Sequence, residues 1–296
     1  MTRPSRLPTF CIVTLALVFV LVVWGGIVRL SGSGLAIPDW PLAHGSVIPH
    51  PETRVLIEYI HRVLAMAVGF FTLGLAIAVF GSRRYRGVLG PWAAAALVVL
   101  AAQIFMGGRV VLEGLKVDRV VTHLLLAFLF FAIVIQLTLR AQDLDREPAG
   151  PAGARRHGLL AGLSYLSAGL VFLQAGLGAW VSSSGAGLAC PDFPLCHGTF
   201  FPKLEGLVGI HYTHRLGAYI VFLTVMSLLI RAASAPLPPR ARWPLRIAGI
   251  LVSLQVLLGI GNVILRLPLV VSAGHLATAL ALFGTLIVAQ HELARL

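Results

Sequence analysis

The sequence predicts an all-α integral membrane protein: eight transmembrane helices forming two four-helix bundles related by a pseudo-two-fold axis. Composition is the first reason. Of the 296 residues, 58% are apolar and 11% are charged, whereas soluble proteins have about 45–50% and 25%. The second reason is that the apolar residues form runs long enough for membrane helices, which need roughly 20 residues each. The third is an internal repeat, described below.

Eight apolar runs are candidates for membrane spans. Polar or Gly/Pro-rich segments, which favour turns, separate them. The first run is too long for a signal peptide and has no small-residue cleavage site, so it is expected to be retained as a span. The predicted spans are 8–30, 54–80, 89–112, 119–140, 158–181, 206–232, 243–265 and 269–292.

The basic residues predict how the chain is oriented. The net charge is +12, but the Lys and Arg residues lie in the loops between apolar runs and not on a soluble face. A nucleic-acid partner is therefore not expected. The larger share of the basic residues falls on the side of the two termini, including a predicted basic turn over 82–87. The positive-inside rule then predicts a multi-pass protein of the cell membrane with both termini in the cytoplasm.

A repeat divides the chain into two halves. The segment from Glu58 to Arg62, Glu-Tyr-Ile-His-Arg, returns as His-Tyr-Thr-His-Arg from His211 to Arg215, at an offset of 153 residues (61 to 214). An even number of spans per half makes the repeat parallel. The segment between the halves is polar and rich in Pro and Gly, as linkers are. The predicted parts are 1–140 (N-terminal four-helix half), 141–157 (cytoplasmic linker) and 158–296 (C-terminal four-helix half).

Four histidines lie at matching places in the spans. All four are in even-numbered spans, which begin on the outer side, and His61 is roughly 10 Å from the start of its helix. Ionisable groups at membrane depth usually face a bundle interior. Two histidines on two helices of one bundle suit bis-imidazole ligation of haem iron. We therefore expect a haem site in each half, towards the outer face, from His61, His123, His214 and His275.

Other interpretations of these histidines stay open. Each ring could instead form a hydrogen bond to a neighbouring helix. A zinc site is disfavoured because structural zinc takes four close N or S ligands, and no other metal site is predicted.

Two arginines directly follow a predicted ligand. Arg62 and Arg215 could pair with haem propionates, since guanidinium groups bind carboxylates well, or could extend to the membrane interface. Arg29, Arg109 and Arg119 are alternative partners on the outer side.

Glu58 distinguishes the first half from the second. It precedes His61 by three residues and therefore shares its helix face. A carboxylate there could move protons or stabilise developing positive charge; alternatively it could pair with Arg54 or Arg62. The second half has His211 at this position, so the proposed chemistry belongs to the first half.

The outer loops contain the remaining notable residues. Cys190 and Cys196 lie in a loop placed outside the cell, where oxidising conditions allow a disulfide to persist. Cys11 is expected to be inert and packed in the first span. His44 and His197 are expected in turns or at the surface, and His157 in solvent within the linker.

Together these features resemble the heme A synthase family, over essentially the whole chain. The motifs that carry the resemblance are Glu58-x-x-His61-Arg62, His123, His214-Arg215, His275 and the paired Gly-Leu-Ala-x-Pro-Asp loops. The resemblance implies an enzyme that oxidises the C8 methyl group of heme O to a formyl group by successive hydroxylations, yielding heme A for terminal oxidases.

The resemblance also implies a role for each site residue. His214 and His275 would ligate a haem b cofactor, while His61 and His123 would hold the substrate haem beside the catalytic carboxylate of Glu58. The expected partners are heme O, the lipid bilayer, the heme O-making synthase and cytochrome oxidase assembly factors; a homo-oligomer is left open.

The chain departs from the family in its first outer loop. Many members have a cysteine pair there, proposed to help redox transfer, whereas this chain has Ile37 and Ala43. The second-loop pair is present, and we expect it to form a structural disulfide.

A function from another class is a non-enzymatic dihaem b-type protein that carries electrons across the membrane. Such a carrier usually places its haems near opposite faces, whereas all four histidines here are near the outer face. A transporter is disfavoured by the parallel repeat, although haem export would use similar residues.

Overall fold

The computed structural model describes residues 6–46, 48, 50, 52–145 and 158–296, and this part of the chain contains eight helices long and apolar enough to cross a membrane. The predicted all-α membrane class is thereby confirmed. The helices are α1 (Leu7–Leu30), α2 (Thr53–Phe80), α3 (Arg83–Leu112), α4 (Val117–Asp143), α5 (Gly158–Ser183), α6 (Gly206–Ala233), α7 (Pro239–Ile264) and α8 (Leu269–Ala294).

Local sequence signals explain several helix ends. Pro8 lies in the first turn of α1 and Pro239 begins α7, positions where proline's fixed φ suits a helix and its missing N–H costs nothing. Shortly after α1 ends at Leu30, Gly32 adopts φ +69°, which glycine reaches without steric cost. These residues therefore help to set where α1 and α7 begin and where α1 ends.

Two helices begin earlier than the sequence predicted. The basic segment 82–87, predicted as a turn, is helical from Arg83, and α7 begins at Pro239 and not near 243. Hydropathy marks only the part of a helix inside the hydrocarbon core. Arginine is a good helix former and its long side chain can reach the interface, so the helices continue beyond the apolar runs.

The chain divides into two compact units. The first comprises the described residues within 1–119 and 126–150, and the second those within 120–125 and 151–296. In the first unit α2 packs against α1 and α3. Its core includes Leu75, Leu89, Leu137 and the fully buried Cys11, as expected for an inert packed thiol. In the second unit α5 packs against α6 and α8, and α7 against the same two helices.

The predicted linker is only partly described. Its first residues belong to α4, which continues to Asp143, and residues 146–157, with His157, lie outside the described residues. Residues 120–125, at the start of α4, group with the second unit and not with the first half. The predicted division into halves and the pseudo-two-fold axis remain predictions.

Candidate functional site

The four predicted histidine ligands occupy equivalent places in the even-numbered helices. His61 and His214 each lie in the third turn of their helix, α2 and α6. His123 and His275 each lie in the second turn, in α4 and α8. All four side chains are half-buried. Their similar distance from the helix start agrees with the similar height that the sequence predicts.

The second unit brings two of these histidines together. His214 and His275 are close enough to interact electrostatically. The Gln174 side-chain nitrogen Nε2 lies 3.0 Å from Nδ1 of His214 and donates to the His214 carbonyl oxygen at 2.7 Å. Gln255 Nε2 lies 3.2 Å from Nε2 of His275. Amide groups therefore contact both rings of this site.

Three of the histidine rings lie directly against a helical glycine. A Cβ atom at Gly25 would collide with its ring, and one at Gly178 or Gly259 would require the ring to move by a few tenths of an ångström. A Cβ atom would lie 2.9 Å from the ring at Gly25–His61, 3.1 Å at Gly178–His214 and 3.2 Å at Gly259–His275, in each case from Cε1. The glycines thus leave room that the imidazoles fill.

The second-unit site fits the chemistry of a bis-histidine haem. Two imidazoles from different helices lie within electrostatic range of each other, and each has a glycine behind it where a Cβ would approach the ring closely. Among the described residues, Nδ1 of His275 is buried without a hydrogen-bond partner, and buried polar atoms are normally satisfied. The donor set of two imidazole nitrogens is one that haem iron accepts.

In the first half the histidine pairing stays a prediction. His61 lies in the first unit, against Gly25 of α1. His123 is within residues 120–125, which group with the second unit. The pairing of these two histidines around a substrate haem therefore rests on the repeat in the sequence.

Glu58 is buried, with only 3% of its surface exposed, and both its oxygens accept hydrogen bonds. Oε1 pairs with Arg62 Nη2 at 2.8 Å, and Oε2 accepts the backbone N–H of Ile37 at 2.9 Å. The pairing with Arg62, which the sequence left open, is therefore present. Glu58 connects α2 to the first outer loop.

Arg62 holds the same loop. Its guanidinium donates to the carbonyl oxygens of Ile37, Asp39 and Leu42 at 2.8–2.9 Å, in addition to Glu58. Four of the five N–H groups that an arginine offers are thus used within the protein. We call Glu58 and Arg62, with their loop contacts, the first clamp.

The second half contains an equivalent clamp, formed by His211 and Arg215. Arg215 donates to the carbonyl oxygens of Cys190 and Leu195, the repeat equivalents of Ile37 and Leu42, at 2.7 and 2.8 Å. Its Nε lies 3.2 Å from Nε2 of His211. His211 is also buried, and its Nδ1 lies 2.9 Å from the Ala186 carbonyl oxygen. His211 and Glu58 therefore take the same place in the two clamps.

Each outer loop contains the same aspartate-anchored turn. Asp39 accepts the backbone N–H groups of Gly45 and His44, and this holds the pKa of its carboxyl below the ordinary value. Asp192 has its pKa lowered in the same way, first by Gly198 and then by His197. The backbone φ angles of His44 and His197 are 53° and 52°. The expectation that these histidines belong to turns is confirmed.

The two loops differ in how their interiors are held. Cys190 and Cys196 form the expected disulfide, with their Cα atoms 4.7 Å apart. In the first loop Ile37 and Ala43 take these positions and pack against Val55 in a small buried cluster. The first loop therefore relies on apolar packing where the second has a covalent bond.

A charged cluster occurs at the α3–α4 turn of the first half. Glu113 accepts hydrogen bonds from Arg119 and Arg109, which hold its pKa at about 2, with the Arg119 bond as the largest cause. Lys116 lies 3.6 Å from the same carboxylate. The second half has Leu265 at the position of Glu113, so the cluster belongs to one half alone.

Gly25, Gly178 and Gln174, which lie around the histidine rings, were not predicted from the sequence. Gly25 and Gly178 lie 153 residues apart, so the repeat alignment held a signal for them. The same alignment pairs Gln174 with Leu21. The contacts of these residues with the rings could not be inferred, because they depend on how neighbouring helices pack.

The helices and the second-unit site define a class of protein: a multi-pass membrane protein that presents paired histidines from its helices near one end. The chain belongs to the COX15-CtaA family of cytochrome oxidase assembly proteins, whose sequence profile matches residues 8–287.

Three relatives illustrate this membership. The chain is 30% identical over 288 residues to a heme A synthase of Alkalihalophilus pseudofirmus, with 95% of each chain covered. It is 31% identical over 262 residues to the heme A synthase of Halalkalibacterium halodurans, with 86% of each covered. For the heme A synthase of Nitrosospira multiformis the identity is 29% over 327 positions, covering 95% of this chain and 91% of that one. The alternative of a dihaem electron carrier finds no support among them.

Proposed function

We propose that this chain is a heme A synthase, which oxidises the C8 methyl group of heme O to a formyl group by successive hydroxylations and releases heme A for terminal oxidases. Family membership and the names of the relatives support the reaction. The observation that carries the assignment of roles is the difference between two otherwise equivalent clamps. An acid, Glu58, occupies the place in the first half that His211 occupies in the second.

The second half is proposed to hold a haem b cofactor. His214 and His275 would ligate its iron, supported by their electrostatic interaction and by the glycines behind their rings. A bound haem b would supply one-electron transfer chemistry. The surrounding helices keep these imidazoles partly buried, which limits the access of water.

The first half is proposed to bind heme O as substrate between His61 and His123. Glu58 lies one helical turn before His61 and is fixed by Arg62 and by the Ile37 N–H. A carboxylate held rigidly in this place can accept a proton or stabilise positive charge that develops at the methyl carbon. Its two hydrogen bonds would keep it in position throughout the reaction.

Orientation and partners complete the proposal. The distribution of basic residues supports a multi-pass protein of the cell membrane whose two termini lie in the cytoplasm. Both proposed haem sites would then lie towards the outer face. Heme O is proposed to be transferred to this protein from the heme O-making synthase, and heme A to be passed on to cytochrome oxidase assembly factors. Arg62 and Arg215 are proposed mainly to anchor the outer loops. Any hydrogen bond to a haem propionate would come from guanidinium N–H groups that do not already bind within the clamps.

The test is to identify the haems that the purified full-length protein binds. We expect haem b together with heme O or heme A. His214→Ala should lose the b-type absorption spectrum, whereas the matched variant His61→Ala should keep it and lose the heme O or heme A fraction. Haem b alone in both halves would contradict the proposal and favour an electron carrier.

A further inference from the structure

A cavity opens in the second unit where α5 begins and α6 ends. Its volume is about 620 Å³, within the range of about 300–1,000 Å³ that small-molecule sites usually have. Leu159 and Leu160 of α5 line one side, and Ile230 and Arg231 of α6 line the other, together with Ser234 just after α6. The predicted haem ligands and the clamp residues are not part of this lining. The cavity is therefore separate from the candidate haem site.

Helix length places this cavity near one membrane surface. α6 begins at Gly206, next to the second outer loop, and Arg231 lies 25 residues further along (206 to 231). At 1.5 Å per residue this distance is roughly 37 Å, whereas the hydrocarbon core of a bilayer is about 30 Å thick. Arg231 therefore lies at the level of the lipid headgroups, on the side opposite the second outer loop.

Positive charge predominates at this end of the second unit. The segment 158–296 contains only three acidic residues, and two of them belong to the second outer loop and the residue before α6. The third, Glu292, has its Oε2 atom 3.5 Å from Arg240 Nε. The basic residues at this end are more numerous, because the last turn of α6 and the first turn of α7 contain Arg231, Arg240 and Arg242. An anion is therefore favoured here.

The lining combines a cation with exposed apolar surface. The Arg231 guanidinium can bind phosphate oxygens through two parallel hydrogen bonds, and the Ser234 hydroxyl can donate another. Leu159 and Ile230 expose 61% and 66% of their surface, which in a membrane protein suits contact with acyl chains. A water-soluble phosphate would use only the polar part of this lining. A phospholipid with an anionic headgroup would use all of it.

We infer that this cavity binds one anionic phospholipid, whose phosphate contacts Arg231 and Ser234 and whose acyl chains lie along Leu159 and Ile230. The inference goes beyond the proposed function and takes from it only the orientation, which puts the cavity at the cytoplasmic surface. The cytoplasmic leaflet is the one that attracts basic segments, and basic pockets between helices on that side bind anionic headgroups. A lipid held there would contact both α5 and α6.

The experiment is lipid titration of purified, delipidated full-length protein, followed by native mass spectrometry. The probes are phosphatidylglycerol and phosphatidylcholine with identical acyl chains. The first phosphatidylglycerol should bind roughly fivefold more tightly than phosphatidylcholine, which is the usual contribution of one basic residue beside an anionic headgroup. Equal binding of the two lipids by the wild type would overturn the inference.

Three variants locate the preference. Arg231→Gln should abolish the roughly fivefold preference for phosphatidylglycerol, whereas Arg231→Lys should keep most of it because the charge remains. Arg83→Gln is the matched control: it removes the same charge from an exposed arginine of α3 that does not line the cavity, and it should bind both lipids as the wild type does. Ser234→Trp should fill the cavity and weaken binding of both lipids. Circular dichroism of each variant verifies that the helices are intact.

A competition experiment separates a lipid from a soluble anion. Glycerol 3-phosphate has the phosphate without the acyl chains, and it should not displace phosphatidylglycerol at equal concentration. Displacement would show a site for soluble phosphates and overturn the inference, as would an equal loss of preference in Arg83→Gln and Arg231→Gln. Heme A formation is not the readout of any of these measurements, so their failure would leave the proposed function intact.

Discussion

The two clamps use the same hydrogen-bond plan with different chemistry. Each joins an arginine of an even-numbered helix to two matching carbonyl oxygens of the preceding outer loop. In the first clamp the arginine also pairs with Glu58; in the second it contacts His211. Because the second clamp forms the two matching arginine–carbonyl bonds with a histidine in the place of the acid, the carboxylate is not required for those bonds. The comparison indicates a second role for Glu58.

The largest expected effect comes from exchanging the residues that distinguish the clamps. Glu58→His copies the second clamp and should keep the first loop anchored and haem bound. Heme A formation should fall by about 10²–10⁴-fold, the usual contribution of a positioned acid or base. The measurement is conversion of heme O by membranes containing the variant, with haem content determined in the same sample.

The reciprocal change, His211→Glu, is the matched control and should retain most of the wild-type turnover. If Glu58→His converts heme O at the wild-type rate, the carboxylate has no catalytic role and serves only the loop. If Glu58→His instead loses bound haem, the carboxylate is needed to anchor the first loop and the loss of activity does not report on catalysis.

A smaller effect is expected from the difference in loop interiors. Removing the disulfide by Cys190→Ala and Cys196→Ala should destabilise the second loop by about 2 kcal/mol, the loop-closure estimate for so small a ring. Thermal unfolding followed through haem b absorption should show a lower midpoint, with heme A formation retained. The first loop, which has Ile37 and Ala43, should not respond to reductant.

Thiol counting provides the control for this prediction. In denatured, non-reduced protein one of the three cysteines, Cys11, should react with a thiol probe, and all three should react after reduction. Quantitative labelling of Cys190 and Cys196 before reduction would rule out the structural disulfide.

The smallest effect concerns the response of the loops to acid. Hydrogen bonds from Gly45 and His44 lower the pKa of Asp39 in the folded protein, so its carboxylate stabilises the loop fully above the unfolded pKa of about 3.9. That contribution is lost as pH falls below this value. Hydrogen exchange of loop peptides, corrected for its intrinsic pH dependence, should increase a few-fold below about pH 4.

Asp39→Asn should remove this response from the first loop and leave it in the second, where Asp192 makes the same bonds. The α3–α4 turn is an internal reference, because Glu113 has a pKa of about 2 and should keep its ion pairs to lower pH. Equal acid responses in the wild type and Asp39→Asn would refute this account.

Much of the architecture could be predicted because the helices coincide with long continuous apolar runs. The ends of six helices fall within three residues of the predicted spans. The starts of α3 and α7 were missed because hydropathy does not report helical turns beyond the membrane core. The prediction that His214 and His275 share one haem site came from the repeat and the parity of the spans.

The partners of the predicted site residues were harder to infer. Spacing along one helix shows that Glu58 and His61 share a face, but the Ile37 N–H that binds Glu58 comes from a loop whose path depends on its turns. Gln174 looks like an ordinary polar interruption of a span. Its contact with His214 follows from the packing of α5 on α6, for which a single sequence provides no direct signal.

The first clamp also has a consequence for the route by which haem reaches the membrane site. Four hydrogen bonds join the loop to Glu58 and Arg62, each worth about 0.5–1.5 kcal/mol net. Lifting the loop to admit a large ligand from the aqueous side would break all of them. Passage sideways between helices would leave these four loop hydrogen bonds in place, and the farnesyl chain of the proposed substrate would remain in lipid. For the proposed heme O substrate, the loop hydrogen bonds therefore favour entry from the bilayer over entry from the aqueous side.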